Sequence, residues 1–263
     1  MALQDERGCF CWFGLMTREP AKATAFYTEA LGWTTQSYEI PGMGESTVYL
    51  ADGKPFGHVV LLEHAPAEVP SHWLSYLAVA DVDAACKQVE ALGGNVCIPA
   101  FDLPTIGRTA VVNDPAGAAF HLFTPEKDGE TLSVMGHAPG QVCWTELMVD
   151  DPEALIPFYR ALFGWHITRT PMATAEYYSI ELGDTAKSKV GGLMKRPPEA
   201  PAMPPHWMLY FLVPNLSEAN GKVKRLGAQL LMENVDIPDT GAFSLLQDPT
   251  GAHSYLFEWR SQG

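Results

Sequence analysis

Glu146 is the residue whose chemistry asks most of its surroundings, because it interrupts the apolar run Cys143-Trp144-Thr145-Glu146-Leu147-Met148. Side chains alternate across a strand, so Glu146 shares a face with Trp144 and Met148. A carboxylate on such a face loses hydration. It then needs a hydrogen-bonding or cationic partner, and its pKa rises toward the range of a general acid or base. The alternative is a carboxylate turned outward or toward a domain boundary. His253 has two readings, a partner for Glu146 or a strand-end surface residue, and Tyr255 and Phe257 follow it on the same face.

The other chemistry-bearing side chains form a parallel set. Trp12, Gly14 and Met16 match Trp144, Glu146 and Met148; His72, Leu74 and Tyr76 match His206, Met208 and Tyr210; Ala119, His121 and Phe123 match His253, Tyr255 and Phe257. Trp12 and Trp144 are stacking surfaces for a planar ligand or parts of a core. His72 and His206 begin strands after proline-containing loops, where the choice is between a structural hydrogen bond and a ligand contact. His121 is a satisfied pocket histidine or a metal ligand. If these faces point inward, they make an aromatic, Met-rich lining with sparse polar groups, which suits a small-molecule pocket. No Ser-His-Asp or Cys-His nucleophile pattern emerges, and alternation puts Cys11 and Cys143 on the faces opposite the tryptophans. Gly191-Gly192 lacks a phosphate-loop context and reads as a strand kink or bulge.

The elements that must position these residues occur twice. Cys11-Trp12, Leu15-Met16, Pro20, Phe26-Tyr27 and Gly32-Trp33 return 132 residues later as Cys143-Trp144, Leu147-Met148, Pro152, Phe158-Tyr159 and Gly164-Trp165. His72-Trp73 and Asp114-Pro115-Ala116-Gly117-Ala118 return 134 residues later as His206-Trp207 and Asp248-Pro249-Thr250-Gly251-Ala252. So long a period means fused domains, not a solenoid. Within the first half an apolar run over 9–16 gives way to helical spacing over Pro20–Leu31, with Pro20 at the first turn and Gly32 as the stop. Strand patterns follow near Thr34–Ile40, Thr47–Ala51 and His58–Glu63. The order βαβββ then repeats: a strand over Trp73–Val79, a helix from Asp81 as cap to Gly93 as stop, and strands near Asn95–Phe101, Arg108–Asn113 and Ala118–Phe123. Asp151 and Asn215 cap the corresponding helices of the second half. Domains over 9–124 and 142–260, joined by a Pro/Gly-containing connection over 125–141, account for the chain.

Composition narrows the partners. With 17 basic against 31 acidic residues the net charge is −14, which opposes a nucleic-acid backbone and leaves cationic small molecules open. Apolar stretches are broken well before the ~20 residues that span a bilayer, and the start Met-Ala-Leu-Gln-Asp-Glu-Arg lacks the order of a signal peptide, so the cytoplasm is expected. The five cysteines, Cys9, Cys11, Cys86, Cys97 and Cys143, have no CxxC spacing and are expected as reduced, mostly buried thiols. A monomer or homodimer is expected.

The succession of Pro…Phe-Tyr…Gly-Trp, a Val79-Ala80-Asp81-Val82-Asp83 strand-to-helix junction and the closing Asp-Pro-x-Gly-Ala turn, occurring twice, resembles the vicinal oxygen chelate superfamily. That family includes glyoxalase I, extradiol dioxygenases and bleomycin-resistance proteins. The tandem form with Pro-x-His-Trp-x-x-Tyr resembles an actinobacterial glyoxalase-like group labelled hydroxylase or 27 kDa antigen. The resemblance implies an α+β fold of four βαβββ modules forming two open mixed-sheet barrels, with module pairs formed within each domain or, alternatively, across the two. It also implies four metal-ligand positions per barrel: on Trp12 and His121 and, to within about two residues, at Leu74 and Val60 in the first, and on Trp144 and Tyr255 and, to within about two residues, at Met208 and Met194 in the second. Only His121 is a ligand type. No cofactor is therefore expected, the competing reading being a degenerate metal site at His121 with His58 or His72. The function expected is binding of a hydrophobic or aromatic small molecule in the barrels, as in drug sequestration. The alternative is a lyase, isomerase or hydroxylase using Glu146 as acid or base. The second barrel, with Glu146, His253 and Tyr255, is expected to hold the main site.

Overall fold

The computed structural model describes residues 7–63, 65–126, 133–171, 176–183, 189–198 and 203–260. The first domain runs β1 (Phe10–Thr17), α1 (Pro20–Leu31), β2 (Thr34–Ile40), β3 (Gly44–Ala51), β4 (Lys54–Leu61), β5 (His72–Ala78), α2 (Val82–Ala91), β6 (Asn95–Leu103), β7 (Gly107–Asn113) and β8 (Ala119–Pro125). The second repeats it as β9 (Val142–Val149), α3 (Pro152–Phe163), β10 (His166–Thr170), β11 (Tyr177–Glu181), β12 (Lys189–Lys195), β13 (Trp207–Leu212), α4 (Leu216–Arg225), β14 (Gln229–Ile237), β15 (Gly241–Gln247) and β16 (His253–Trp259). Of the expected connection, residues 127–132 lie outside the described residues, as do residues 1–6 of the N-terminal segment.

The helix ends follow local chemistry. Gly32 and Gly164 take left-handed conformations, φ 71° and 72°, that close α1 and α3. The side chains of Asp81, Asp151 and Asn215 accept the backbone N–H of Ala84, Ala154 and Glu218.

Each domain forms one eight-stranded mixed sheet, in the orders β2-β3-β4-β1-β5-β8-β7-β6 and β10-β11-β12-β9-β13-β16-β15-β14. β1 lies antiparallel to β5 and parallel to β4, and β5 is parallel to β8. Modules therefore pair within a domain, and the cross-domain alternative is not what forms. Alternation divides each sheet into two chemically different faces. Phe13, Leu15, Trp73 and Leu77 turn to the helices and join a core that runs without interruption into Leu147, Trp207, Leu209 and Phe211 of the other domain. The opposite faces carry two separate clusters, one around Tyr76 and Trp12 and one around Tyr210, Tyr255 and Trp144. These are the interiors of the two barrels.

Two expectations need correction. Cys11 and Cys143 do not lie opposite the tryptophans, because each is the extra residue of a β-bulge: the register steps from Phe10–Leu77 to Trp12–Tyr76, and from Val142–Phe211 to Trp144–Tyr210. A bulge suspends alternation, so both thiols pack in the clusters that include the tryptophans. Gly191 and Gly192 serve clearance more than kinking. A bulge does occur beside them, at Val190, but a Cβ on Gly192 would stand 2.0 Å from the Tyr177 hydroxyl and one on Gly191 2.4 Å from Thr145 Oγ1.

The domains exchange polar contacts across their common core. Trp33 Nε1 donates to the Gly140 carbonyl at 2.8 Å and Trp165 Nε1 to the Gly8 carbonyl at 2.9 Å. Tyr159 donates to Asp114 Oδ2 at 2.8 Å and accepts from Trp207 Nε1 at 3.2 Å. Tyr27 faces Asp248 in the mirrored position, but Asp248 Oδ2 receives no hydrogen bond of normal geometry. Tyr159→Phe is expected to destabilise the fold by about 1–3 kcal/mol, the cost of a stranded buried carboxylate oxygen, and Tyr27→Phe by distinctly less. Urea unfolding monitored by Trp fluorescence compares the two.

Candidate functional site

The site in each barrel is built on the central strands and the strands parallel to them. On β1 the inward residues are Trp12, Gly14 and Met16; on β9 they are Trp144, Glu146 and Met148. Register places His58 of β4 level with Gly14, and Gly192 of β12 level with Glu146. The residue of β4 that faces Gly14 is therefore His58, not Val60, which pairs with Met16. The duplication has exchanged partners: each barrel has one glycine and one ionisable residue at this level, on opposite strands of the pair.

In the second barrel the ionisable residue is Glu146, 5% exposed. Tyr210 donates to its Oε1 at 3.0 Å. Trp144 Nε1 donates to the Tyr177 hydroxyl at 2.8 Å, and that hydroxyl stands near enough to the carboxylate to favour its ionised form. Burial raises the Glu146 pKa to about 7 against the partial relief supplied by the two phenols. Tyr255 stacks on Tyr210 with ring centroids 4.3 Å apart, and Met208, Phe257 and Phe243 complete the apolar lining. Met148 is half-buried at the strand end, level with Met194. His253 is not a partner of Glu146. It sits half-exposed at the start of β16, paired with Gln247, and its charge interaction is with Asp248.

The first barrel holds Trp12, His58, Tyr76, His121 and Phe123. Trp12 Nε1 donates to His58 Nδ1 at 2.5 Å. Indole N–H is only a donor, so Nδ1 is the acceptor nitrogen and neutral His58 carries its proton on Nε2. His121 is fixed in the opposite sense. The Thr109 hydroxyl donates its single hydrogen to the Leu122 carbonyl at 2.9 Å, so at 3.0 Å from His121 Nδ1 it must accept, which leaves Nε2 as a lone pair. Burial pushes His58 down to about 4 and His121 to about 3, the latter aided by the neighbouring His58. Tyr76 stacks on His121 at 3.9 Å.

His72 and His206 are held from outside the barrels, each Nδ1 lying 2.8 and 2.7 Å from the carbonyl of the proline two residues before it, Pro70 and Pro204. His206 also forms a β-bridge to Ala119 across the domains. Sequence reasoning missed Tyr177 and Thr109 as site residues and gave His58 only the role of a metal partner. Tyr177 lies beside Glu146 solely through the β11–β12–β9 register, for which no local pattern stands.

The chain is thus a pair of open mixed-sheet barrels of βαβββ modules, each with a polar relay started by a tryptophan. A family model described as Glyoxalase/Bleomycin resistance protein/Dioxygenase superfamily matches residues 10–122 and again 141–253, and the chain belongs to that superfamily. It is 34% identical over 245 residues to CFP32 of Mycobacterium tuberculosis, which carries a glyoxylase label, covering 92% of this chain and 91% of that one. It is 33% identical to the anthracycline biosynthesis protein DauV of Streptomyces sp. strain C5, covering 96% and 94%. Among solved structures, 2,2',3-trihydroxybiphenyl 1,2-dioxygenase of Sphingomonas wittichii superposes with a TM-score of 0.64 at 16% identity, covering 96% of this chain and 90% of that one. The Mn(II)-bound glyoxalase of Novosphingobium aromaticivorans gives 0.62 at 14% identity, covering 96% and 82%. Both likenesses are of fold.

The residues present do not fit the divalent metal that this family implies. Among the described residues no three His, Cys, Asp or Glu side chains converge as a ligand set. In the first barrel a metal on His58 Nε2 would require the proton to move to Nδ1, where it would point at the Trp12 N–H. In the second, Glu146 already accepts from Tyr210 and no other ligand-type side chain stands beside it among the described residues. Metal analysis of protein purified without a histidine tag is expected to find less than stoichiometric Fe, Mn, Ni or Zn; a stoichiometric metal lost on His121→Ala reverses this.

The buried carboxylate also sets a pH dependence. A folded pKa of about 7 against an unfolded 4.5 means the stabilising contribution is full below pH 4.5 and lost as pH rises through 7. Glu146→Gln removes that loss, so the variant is expected to gain on wild type by about 3 kcal/mol between pH 4.5 and 8, at about 1.4 kcal/mol per tenfold change in proton affinity. Denaturant unfolding of both proteins across that range gives the difference. The depressed histidines act oppositely, their contribution falling away below pH 6.5, and cancel in the comparison.

Proposed function

We propose that the protein binds a hydrophobic, planar small molecule in its barrels without a metal, the main site being the second barrel. The observation that carries this is Glu146: a carboxylate buried on the apolar, aromatic inner face of a barrel, hydrogen-bonded by Tyr210 and close to Tyr177 and Tyr255. Folding gains nothing from placing a charge there, since a hydrophobic residue of similar size would avoid the desolvation cost. Trp144 and Trp12 are half-buried while most neighbours are fully covered, which leaves them available as stacking surfaces. The similarity to an anthracycline biosynthesis protein and the bleomycin-resistance membership support a polycyclic or otherwise aromatic ligand. A cationic group on it pairs with the ionised carboxylate, in keeping with the net charge of −14. Glu146 is 5% exposed, so such a ligand reaches it only as lining side chains move. The reading places a monomer or homodimer in the cytoplasm; no helix among the described residues is long and apolar enough to cross a membrane.

One observation favours a second reading, an enzyme of the lyase, isomerase or hydroxylase type. A carboxyl titrating near 7 is tuned for proton transfer at neutral pH. The two separate in a single experiment with polycyclic aromatic compounds. A binding protein quenches Trp fluorescence on addition and returns the compound unchanged, with affinity reduced about tenfold or more by Glu146→Gln. Recovery of an altered compound, with turnover abolished by Glu146→Gln, establishes the enzyme.

A further inference from the structure

Both barrels start a hydrogen-bond relay at the same tryptophan, and the two relays end differently. In the second, Trp144 donates to Tyr177, which lies beside Glu146, and Tyr210 donates to the carboxylate. In the first, Trp12 donates to His58 Nδ1, and His58 Nε2–H faces the Tyr76 hydroxyl across a long 3.5 Å contact. The acceptor that would end this relay is missing, because Gly14 stands where the other barrel has Glu146. A Cβ on Gly14 would lie 2.6 Å from the Met16 methyl, which fills the space of the lost side chain, with the Tyr76 ring at 3.4 Å and His58 Nε2 at 3.5 Å in ordinary contact. Tyr76, which accepts from His58, donates to no group among the described residues.

Beside it, His121 presents the reverse. Its Nδ1–H is committed to Thr109, and its Nε2 lone pair has no hydrogen-bond partner among the described residues. The Tyr76 hydroxyl does not supply the missing bond. The two rings stack at 3.9 Å with planes 8° apart, so hydroxyl and lone pair lie in two parallel planes and are not aimed at one another. Tyr76 and His121 are each 6% exposed, and Trp12, Phe123 and Met16 make the surroundings apolar. Among the described residues one donor and one acceptor thus go without a bond on the apolar inner face of this barrel, where leaving either unmet is costly.

We infer that the first barrel is a second ligand site, for a neutral planar molecule bearing a hydrogen-bond acceptor next to a donor, the acceptor meeting the Tyr76 hydroxyl and the donor meeting His121 Nε2. The inference rests on the reading that the barrels bind planar molecules and assigns polar recognition to a barrel that reading leaves secondary. The chemistry it selects is that of a cyclic amide, imide or enolised hydroxy-carbonyl ring. A cation is disfavoured, since the groups at hand are one O–H donor and one lone pair on a neutral ring.

Isothermal titration of the full chain with 2-quinolone, whose ring carbonyl and N–H are adjacent, tests this. Binding is expected, weakened about tenfold or more by His121→Phe and by Tyr76→Phe, both of which keep the stacked rings. N-methyl-2-quinolone, lacking the donor, is expected to bind wild type about tenfold more weakly than the parent and to lose nothing further on His121→Phe. Nitrogen-15 NMR of wild type supplies a readout independent of any variant: His58 protonated on Nε2 and His121 on Nδ1. No binding of 2-quinolone, equal binding of the N-methyl compound, or His121 protonated on Nε2 overturns the inference. Binding lost on Glu146→Gln but untouched by His121→Phe also overturns it, while leaving the second-barrel reading in place. Failure of that reading would instead show as polycyclic aromatics bound by neither barrel.

Discussion

The constraint on which the rest of the structure depends is that the two sheets share one aromatic core. Their helix-facing sides meet in Tyr27, Trp33, Trp73 and Phe211, and symmetrically in Phe10, Tyr159, Trp165 and Trp207, with ring centroids mostly 5–6 Å apart. Such large rings bury too much area to be covered within one domain of this size. Each indole and phenol also has a polar end that must be met: those of Trp33, Trp165 and Tyr159 are met across the boundary, while Trp73 and Trp207 donate to Tyr27 and Tyr159 of their own domains. Gly8 and Gly140, at φ 80° and 82°, let the backbone approach the opposing indole where a Cβ on Gly8 would come within 2.4 Å of Trp165 Nε1. The domains are accordingly a single folding body as far as their core is concerned.

This sharing frees the concave faces. Because the helical sides carry the stability, the barrel interiors can tolerate polar groups that a sole core could not. The Asp-Pro-x-Gly-Ala turns connect the two roles. Asp114 Oδ1 accepts the N–H of Ala116 and Ala118, fixing the turn that launches β8 and hence His121, while its Oδ2 is gripped by Tyr159 of the other domain. The strand carrying the first barrel's acceptor is thereby pinned by the second domain.

Among the positions that diverged after duplication, a few inward ones have a large electrostatic effect. Gly14 against Glu146, His58 against Gly192, and His121 against Tyr255 convert one barrel into a buried acid and the other into a pair of neutral imidazoles of opposite tautomer. The tryptophan N–H at the start of each relay is unchanged, and its direction accounts for both outcomes: toward a phenol serving a carboxylate, or toward an imidazole it bars from metal binding.

The sequence by itself determined the elements and their repetition. Helix limits at Pro20 and Gly32, the caps at Asp81, Asp151 and Asn215, and the alternation of Trp144, Glu146 and Met148 are local matters of backbone conformation and period, and they stand in the structure. The inward turn of Glu146 was one of two legible possibilities, decided by the burial of β9 between β12 and β13. What only the tertiary structure decided is register and partnership. Bulges at Cys11 and Cys143 reversed the face of both thiols, since one extra residue cancels a period of two. Tyr177, Thr109 and His58 enter the site from neighbouring strands whose offsets no local pattern records, and His253 is carried away from Glu146 for the same reason. The protonation of the two histidines is further still from the sequence, because it is fixed by which donor or acceptor lies 3 Å away after the sheet has closed.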